Sequence, residues 1–339
     1  MAAIPARVPG VSYLFPSPTI TFEAALRDVA SGSAKARVSA AYALGDVSEP
    51  VEKRRALEAL IRALDDERGD VRGAACAALG ELGEASAVPH LIKRLDEGDA
   101  GVRQHAAIAL GSLAHPDGFE PLATALRSGP PDLRFQAATS IAEVDPERAF
   151  DLVIDALDDR DPQVIGAAAL SVGAIAATND NKRPRAVSAL SARLASSDPG
   201  TRFDVAYALA ELGEAAGRTA LADSIDDPER AWDAVTALAQ IAASDELARA
   251  VASKKAPAEA RVLAAGKLLA LRDDDPARKV LVEHLKSRKF NVRGLAIEQL
   301  AEIGGAWAIA PLEKLSTSSK GVELRGPIDT ALRQIRGRA

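Results

Sequence analysis

Apolar positions along most of this chain recur at helical spacing rather than in strand-like alternation. The stretch DVRGAACAALGELG, Asp70 to Gly83, places small or aliphatic residues three, four and seven positions after Arg72. GVRQHAAIALGSL, Gly101 to Leu113, repeats the arrangement after Arg103. The shared register is R-x-x-A-A-x-A-L-G. Its anchors are Arg37, Arg72, Arg103, Arg134, Ile165, Arg202, Ala231, Arg261, Arg293 and Arg325, separated by 35, 31, 31, 31, 37, 29, 30, 32 and 32 residues. A fixed period near 31 residues predicts a stacked array.

Each period reads as two helices. The first carries Leu or Ile at helical spacing, as in AVPHLIKRL (Ala87 to Leu95) or PLATAL (Pro121 to Leu126). The second carries the anchor. Asp99, Asp161, Asp198 and Asp227 lie four residues before their anchors, and Pro162, Pro199 and Pro228 follow three of them. Aspartate at the N-cap with proline at the first helical position starts a helix well. Gly45, Gly80, Gly111 and Gly173, eight after their anchors, are expected near helix ends, where a left-handed cap is common. The stripe at anchor+3, +4 and +7 (Ala40, Ala41, Leu44; Ala75, Cys76, Leu79; Ala106, Ala107, Leu110; Ala137, Ala138, Ile141) predicts closely approaching helices. Lone helix pairs cannot bury such faces, but stacked pairs can.

The arginines Arg37, Arg72, Arg103, Arg134, Arg202, Arg261, Arg293 and Arg325 read as a structural ladder. Each stem lies along the alanine seam and each guanidinium reaches an inter-helix turn. Asp70, Asp132 and the N-cap aspartates are the expected partners. The competing reading is an arginine row that grips phosphates.

The D-x-x-V-R-x-x-A-A-x-A-L-G pattern resembles HEAT repeats, in particular the short bacterial kind related to phycobilisome-lyase HEAT-like repeats. The resemblance covers nearly all of residues 21–339 and implies an all-α, right-handed α-solenoid of about ten helix pairs. Ile165 and Ala231 depart from it at the anchor, and ATNDNKRPRA (Ala177 to Ala186) is an insertion. Residues 1–20, with Tyr13 and Phe15 among prolines, read as an extended segment that caps the array.

Composition narrows the chemistry. Hydrophobic residues make up 47% and aromatic residues 4% of the 339 positions, which favours packed helices over sheets. Net charge is −6, so general affinity for nucleic acid or anionic membrane is not expected. The charge is uneven: 17 Lys/Arg against 10 Asp/Glu give +7 for residues 254–339, leaving −13 for residues 1–253. No signal peptide is read in MAAIPARVPGVSYLFPSP, and no apolar run long enough to cross a membrane occurs, so the expected compartment is the cytoplasm. Cys76 is the single cysteine, expected to be a small core residue.

Catalytic signatures are missing. There is no G-x-x-x-x-G-K-[ST], no G-x-G-x-x-G after a strand and no G-x-S-x-G. No His-Glu dipeptide occurs, the pair with which the HEAT-like deoxyhypusine hydroxylases hold iron. His90, His105 and His115 fall within one repeat without a carboxylate at ligand spacing, so neither a metal nor another cofactor is expected.

Anchor+1, +2 and +5 remain. They hold Tyr42, Phe135, Phe203, Tyr207 and Trp232, five of the twelve aromatics, interleaved with Gln104, His105, Gln136, Asp204 and Asp233. On a concave helix layer, Phe135, Gln136, Phe203, Asp204, Tyr207, Trp232 and Asp233 would form a groove for a protein or peptide. Alternatively, the rings fill gaps between helices. The expectation is a non-catalytic interaction scaffold, with self-association through the oppositely charged segments as a further partner choice. Two alternatives are a HEAT-like DNA glycosylase, which the acidic surroundings of Trp232 disfavour, and a bilin-lyase-type chromophore-handling protein, which rests on repeat similarity alone.

Overall fold

A computed structural model describes residues 20–196 and 199–338. The expected N-terminal cap, with Tyr13 and Phe15, and the N-cap Asp198 lie outside them. The described residues form twenty α-helices joined by turns and short 3-10 segments, with no strand among them. The class is all-α, and the helices make ten pairs.

The chain divides into two compact units, one ending at Asp145 and one beginning at Pro146. Unit 1 contains α1 (Phe22–Ser31), α2 (Ala34–Gly45), α3 (Pro50–Ala63), α4 (Gly69–Leu82), α5 (Val88–Arg94), α6 (Ala100–Leu113), α7 (Phe119–Ser128) and α8 (Pro131–Val144). Unit 2 contains α9 (Pro146–Asp155), α10 (Pro162–Ala177), α11 (Arg183–Ser196), α12 (Pro199–Glu211), α13 (Arg218–Asp223), α14 (Ala231–Gln240), α15 (Ser244–Ala252), α16 (Ala258–Leu271), α17 (Asp275–His284), α18 (Phe290–Ile303), α19 (Ala306–Ser316) and α20 (Arg325–Arg338).

Every anchor lies on an even-numbered helix, and within each unit successive even helices pack on one another. The +3, +4 and +7 stripe is fully buried through the first repeats, from Ala40, Ala41 and Leu44 to Ala137, Ala138 and Ile141. Cys76 belongs to it, and burial pushes its thiol pKa up to about 12, so it carries no thiolate reactivity near neutrality. The last helix departs from the stripe, because Asp329 occupies +4 and is exposed.

Glycine at +8 has a different role from the one its position predicted. Gly45, Gly80, Gly111 and Gly173 are helical residues inside close crossings. A Cβ on Gly45 or Gly80 would lie 2.9 Å from the Cα of Ala78 or Ala109 on the next even helix. On Gly111 it would meet Ser140 at 2.9 Å, and on Gly173 Ala208 at 3.1 Å. These neighbours all stand at +6 of the following repeat. Left-handed caps occur instead at +11, at Gly83 (φ 75°), Ala114 (φ 48°), Gly213 (φ 73°) and Ala242 (φ 51°). Alanine is strained there, so Ala114→Gly should stabilise the fold by about 0.5–1 kcal/mol. Chemical denaturation checks this, and an unchanged or lower midpoint would contradict it.

Helix starts follow the sequence in part. The Asp99 carboxylate accepts from the Gly101 N–H at 2.8 Å, and that of Asp161 from the Gln163 N–H at 2.9 Å. Asp227 does not open a helix directly: it caps a turn by accepting from the Glu229 N–H at 2.9 Å, and α14 begins only at Ala231. Half of the insertion lies in the ends of α10 and α11, with a turn between them. α11 starts at Arg183, and the Lys182 ammonium sits 3.1 Å from Glu147 and 4.6 Å from the Phe150 ring centre.

The arginine ladder has a repeating geometry. Arg72 donates to the Asp66 carbonyl at 2.9 Å, Arg103 to the Glu97 carbonyl at 2.7 Å, and Arg293 to the Ser287 carbonyl at 2.9 Å. Arg37 and Arg134 bond the Gly32 and Gly129 carbonyls at 3.1 and 2.9 Å. Thus each guanidinium holds the turn entering its own helix. In unit 1 it also reaches a carboxylate of the next repeat: Arg37 to Asp66 at 2.8 Å, Arg72 to Glu97 at 3.4 Å, and Arg103 to Asp132 at 2.9 Å. Asp132 is therefore a partner as expected. Asp70 is not, because it pairs with Arg68 at 2.9 Å. Arg261 donates to the Val251 carbonyl at 3.3 Å. Arg202 and Arg325 are exposed.

Removing a charged donor strands several buried acceptors at once. Arg103→Ala should therefore cost about 2 kcal/mol, whereas Arg325→Ala should leave stability unchanged. Equal denaturation midpoints for both variants would contradict the ladder.

Candidate functional site

The aromatics selected from the sequence fall into two sets. Unit 1 holds Tyr42, 51% exposed, and Phe135, 37% exposed, on the even helices α2 and α8. The Gln136 amide is engaged locally, donating to the Thr139 hydroxyl at 2.9 Å. Nδ1 of His105 lies 2.7 Å from the Gly101 carbonyl, and the ring packs against Gly73.

Unit 2 holds Phe203, Asp204 and Tyr207 on α12 and Trp232 and Asp233 on α14. Phe203 is only 6% exposed. The Arg230 guanidinium carbon lies 5.0 Å from its ring centre, and the Tyr207 ring 6.3 Å away at a 36° tilt. Phe203 is thus a core residue, not an exposed contact. Asp204 is a packing residue too, because its carboxylate occupies the space that a Cβ on Gly166 of α10 would need.

Trp232 is the exposed member, at 45%. It lies in the first turn of α14, and its carbonyl accepts from the Thr236 hydroxyl at 2.9 Å. Glu211 joins the two helices by accepting from the Gln240 amide at 3.3 Å. Desolvation, the negative charge of Glu211 and Asp233, and a hydrogen bond to Glu211 raise the Tyr207 phenol above its ordinary value. Desolvation raises the Asp233 carboxyl. The patch therefore consists of the exposed Trp232 and the partly buried Tyr207 with Glu211 and Asp233, while Arg230 is engaged on Phe203. It offers stacking area and hydrogen-bond acceptors for an apolar segment bearing cations.

Sequence reasoning missed Leu170, which stands at +5 on α10 and is exposed. The register itself pointed to that position, but a filter for aromatics passed over it. It also missed a cleft in unit 1 of about 590 Å³, lined by Ile92, Leu95, Pro121, Ala125 and Leu133 together with charged side chains that include Glu97 and Arg103. Among the described residues no group of three or more His, Cys, Asp or Glu is placed to hold a metal, and no helix is long and apolar enough to cross a membrane.

A family model for HEAT repeats matches residues 22–111, 88–173 and 119–195, together just over half of the chain. The chain is a HEAT-repeat protein. No curated protein matches this HEAT-repeat chain in sequence. Among solved structures it is similar to the complex of CpcE and CpcF of phycocyanin lyase from Nostoc sp. PCC7120, with 24% identity, 80% of this chain and 97% of that one covered, and a TM-score of 0.45. An engineered protein shows 20% identity over 93% and 98% of the two chains, with a TM-score of 0.44. A computationally designed armadillo repeat protein for modular peptide recognition shows 20% identity over 56% and 99%, with a TM-score of 0.38. None of these likenesses carries a conclusion about what the HEAT-repeat chain binds.

Proposed function

We propose that the protein is a non-catalytic scaffold that binds a partner protein through the outer face of its even helices. The observation that carries this reading is Trp232. A large aromatic residue stands half-exposed on α14 beside Asp233, while the neighbouring Phe203 and Tyr207 are drawn into packing. Tryptophan anchors of this kind dominate interface energetics. Phe135 and Tyr42 supply the equivalent exposed rings in unit 1. The carboxylates around Trp232 favour a segment with apolar residues flanked by Lys or Arg.

The experiment is affinity capture from native lysate with wild type and Trp232→Ala as parallel baits. A protein retained by wild type and lost by the folded variant supports the reading. An identical captured set overturns it for this patch.

The glycosylase reading requires a basic groove around the Trp232–Asp233 pair. Glu211 and Asp233 lie by Tyr207, and Arg230 is engaged on Phe203, so the observations favour protein over duplex DNA. No residue-level observation favours a bilin-binding role.

A further inference from the structure

In unit 2 the turns leading into α16, α18 and α20 lie side by side along one edge. The Lys320 ammonium of the last turn donates to the Lys286 carbonyl of the middle one at 2.8 Å. The Asn291 amide, just past the middle turn, donates to Glu259 at the start of α16 at 3.1 Å, and the Lys289 ammonium lies 3.5 Å from the same carboxylate. The ladder holds these turns from within. Arg293 donates to the carbonyls of Ser287 and Arg288 at 2.9 and 3.2 Å, and Arg261 to that of Val251 at 3.3 Å.

Four exposed cations stand on the first two of these turns, Lys254 and Lys255 on one, Lys286 and Arg288 on the other. Their side chains form no hydrogen bond or ion pair among the described residues. The carboxylates nearest in sequence are Glu259, already taken, Glu283 in the last turn of α17, and Glu323 of the third turn. Elsewhere in the array the same register is acidic and answered: Asp65 and Asp66 pair with Arg94 and Arg37, and Glu97 with Arg72 and Arg94. A turn of this kind therefore needs no cations in order to fold, and four without counter-charge repel one another. Phe290 stands next to Lys289 and adds a ring that is 51% exposed.

We propose that this edge binds an extended acidic segment of another protein, with carboxylates at every third residue and an apolar side chain against Phe290. Neighbouring helices pack about 8–10 Å apart, and three residues of extended chain span about 10 Å. Carboxylates at i and i+3 thus meet cations on successive turns, and opposite charge supplies the complementarity. Two observations favour a peptide over nucleic acid. Residues 1–253 carry a net charge of −13, which repels a long polyanion but not a short acidic segment. Phe290 is also a lone ring, whereas single strands are held on a series of stacking platforms. The site lies on turns rather than on the helix face that holds Trp232, so its failure would leave that reading intact.

Fluorescence anisotropy of a labelled synthetic peptide, titrated with the full chain, tests it. The probe is about fifteen residues long, enough to cross the three turns when extended, with Glu at every third position, one central Leu, and Gly and Ser elsewhere. The expected result is saturable binding at low salt that weakens as salt rises. Lys255→Glu with Arg288→Glu, both exposed and without side-chain partners, should bind at least about tenfold more weakly at an unchanged denaturation midpoint. Trp232→Ala should bind the probe as wild type does, and a peptide of the same composition with its Glu residues in one block should bind less well. No binding by wild type would overturn the proposal, as would equal affinity in the charge-reversed variant, equal affinity for the blocked peptide, or loss of binding in Trp232→Ala. Tighter binding of a labelled single-stranded oligonucleotide than of the peptide, lost in the charge-reversed variant, would also overturn it, in favour of a nucleic-acid site.

Discussion

Phe203→Ala should lower the folding free energy of unit 2 by about 3–5 kcal/mol, the usual cost of removing a buried phenyl ring. The ring is almost wholly enclosed, stacked beneath Arg230 and beside Tyr207. Its loss leaves a cavity between α12 and the turn before α14, and it strips the Arg230 guanidinium of its aromatic partner. In a repeat array such damage spreads to nearest neighbours, so the unit should melt earlier and with less cooperativity. Trp232→Ala, by contrast, removes a half-exposed ring and should shift stability by well under 1 kcal/mol. Denaturant unfolding of the two variants separates a core aromatic from a surface one. Equal midpoints would show that the two rings do not differ in role. A triple alanine variant of Phe203, Tyr207 and Trp232 is therefore a poor binding test, because its first effect is on folding.

Gly80→Val should cost about 3 kcal/mol, at the upper end of typical overpacking penalties. A Cβ on Gly80 would stand 2.9 Å from the Cα of Ala109 and 3.0 Å from its Cβ. Neither atom can swing aside as the end of a long side chain could. α4 and α6 would have to separate, and the loss would extend along their shared stripe. Gly80→Ala meets the same wall, partly offset by its better helix propensity of roughly 1 kcal/mol. A Cβ on Gly294 of α18 would meet nothing within 4 Å, so Gly294→Ala should stabilise by up to about 1 kcal/mol. Opposite signs for the two Gly→Ala changes, read from denaturation midpoints, are the expected outcome. Equal signs would contradict backbone-on-backbone packing at +8.

How much of this was legible in the sequence depends on where the determining atoms lie. The pairing of helices and the buried +3, +4 and +7 stripe rest on contacts that recur every repeat, so periodicity alone exposed them. The arginine position was legible for the same reason, but its partners were not. Asp70 and Asp132 are equally near their own anchors in sequence, yet Asp132 serves Arg103 of the preceding repeat and Asp70 serves Arg68. The glycines at +8 were misread because closeness to a helix end and closeness to a neighbouring helix favour the same residue. At +1, Phe203 and Trp232 occupy identical register, and only one is covered. The cover over Phe203 comes from Arg230, just ahead of the next anchor, so the local pattern around Phe203 held no sign of it. The cleft in unit 1 had no motif, since its lining is gathered from separate stretches between Ile92 and Leu133 that share no register position.

The central claim is that an exposed aromatic patch on the even helices, rather than any reaction centre, carries the function. The most direct measurement is the affinity of the captured partner for wild type and for Trp232→Ala, by calorimetric titration, with folding of both confirmed by denaturation. The account predicts that the variant binds at least about thirtyfold more weakly, the loss typical of an interface tryptophan worth about 2 kcal/mol. Equal affinities for two equally folded proteins would contradict it.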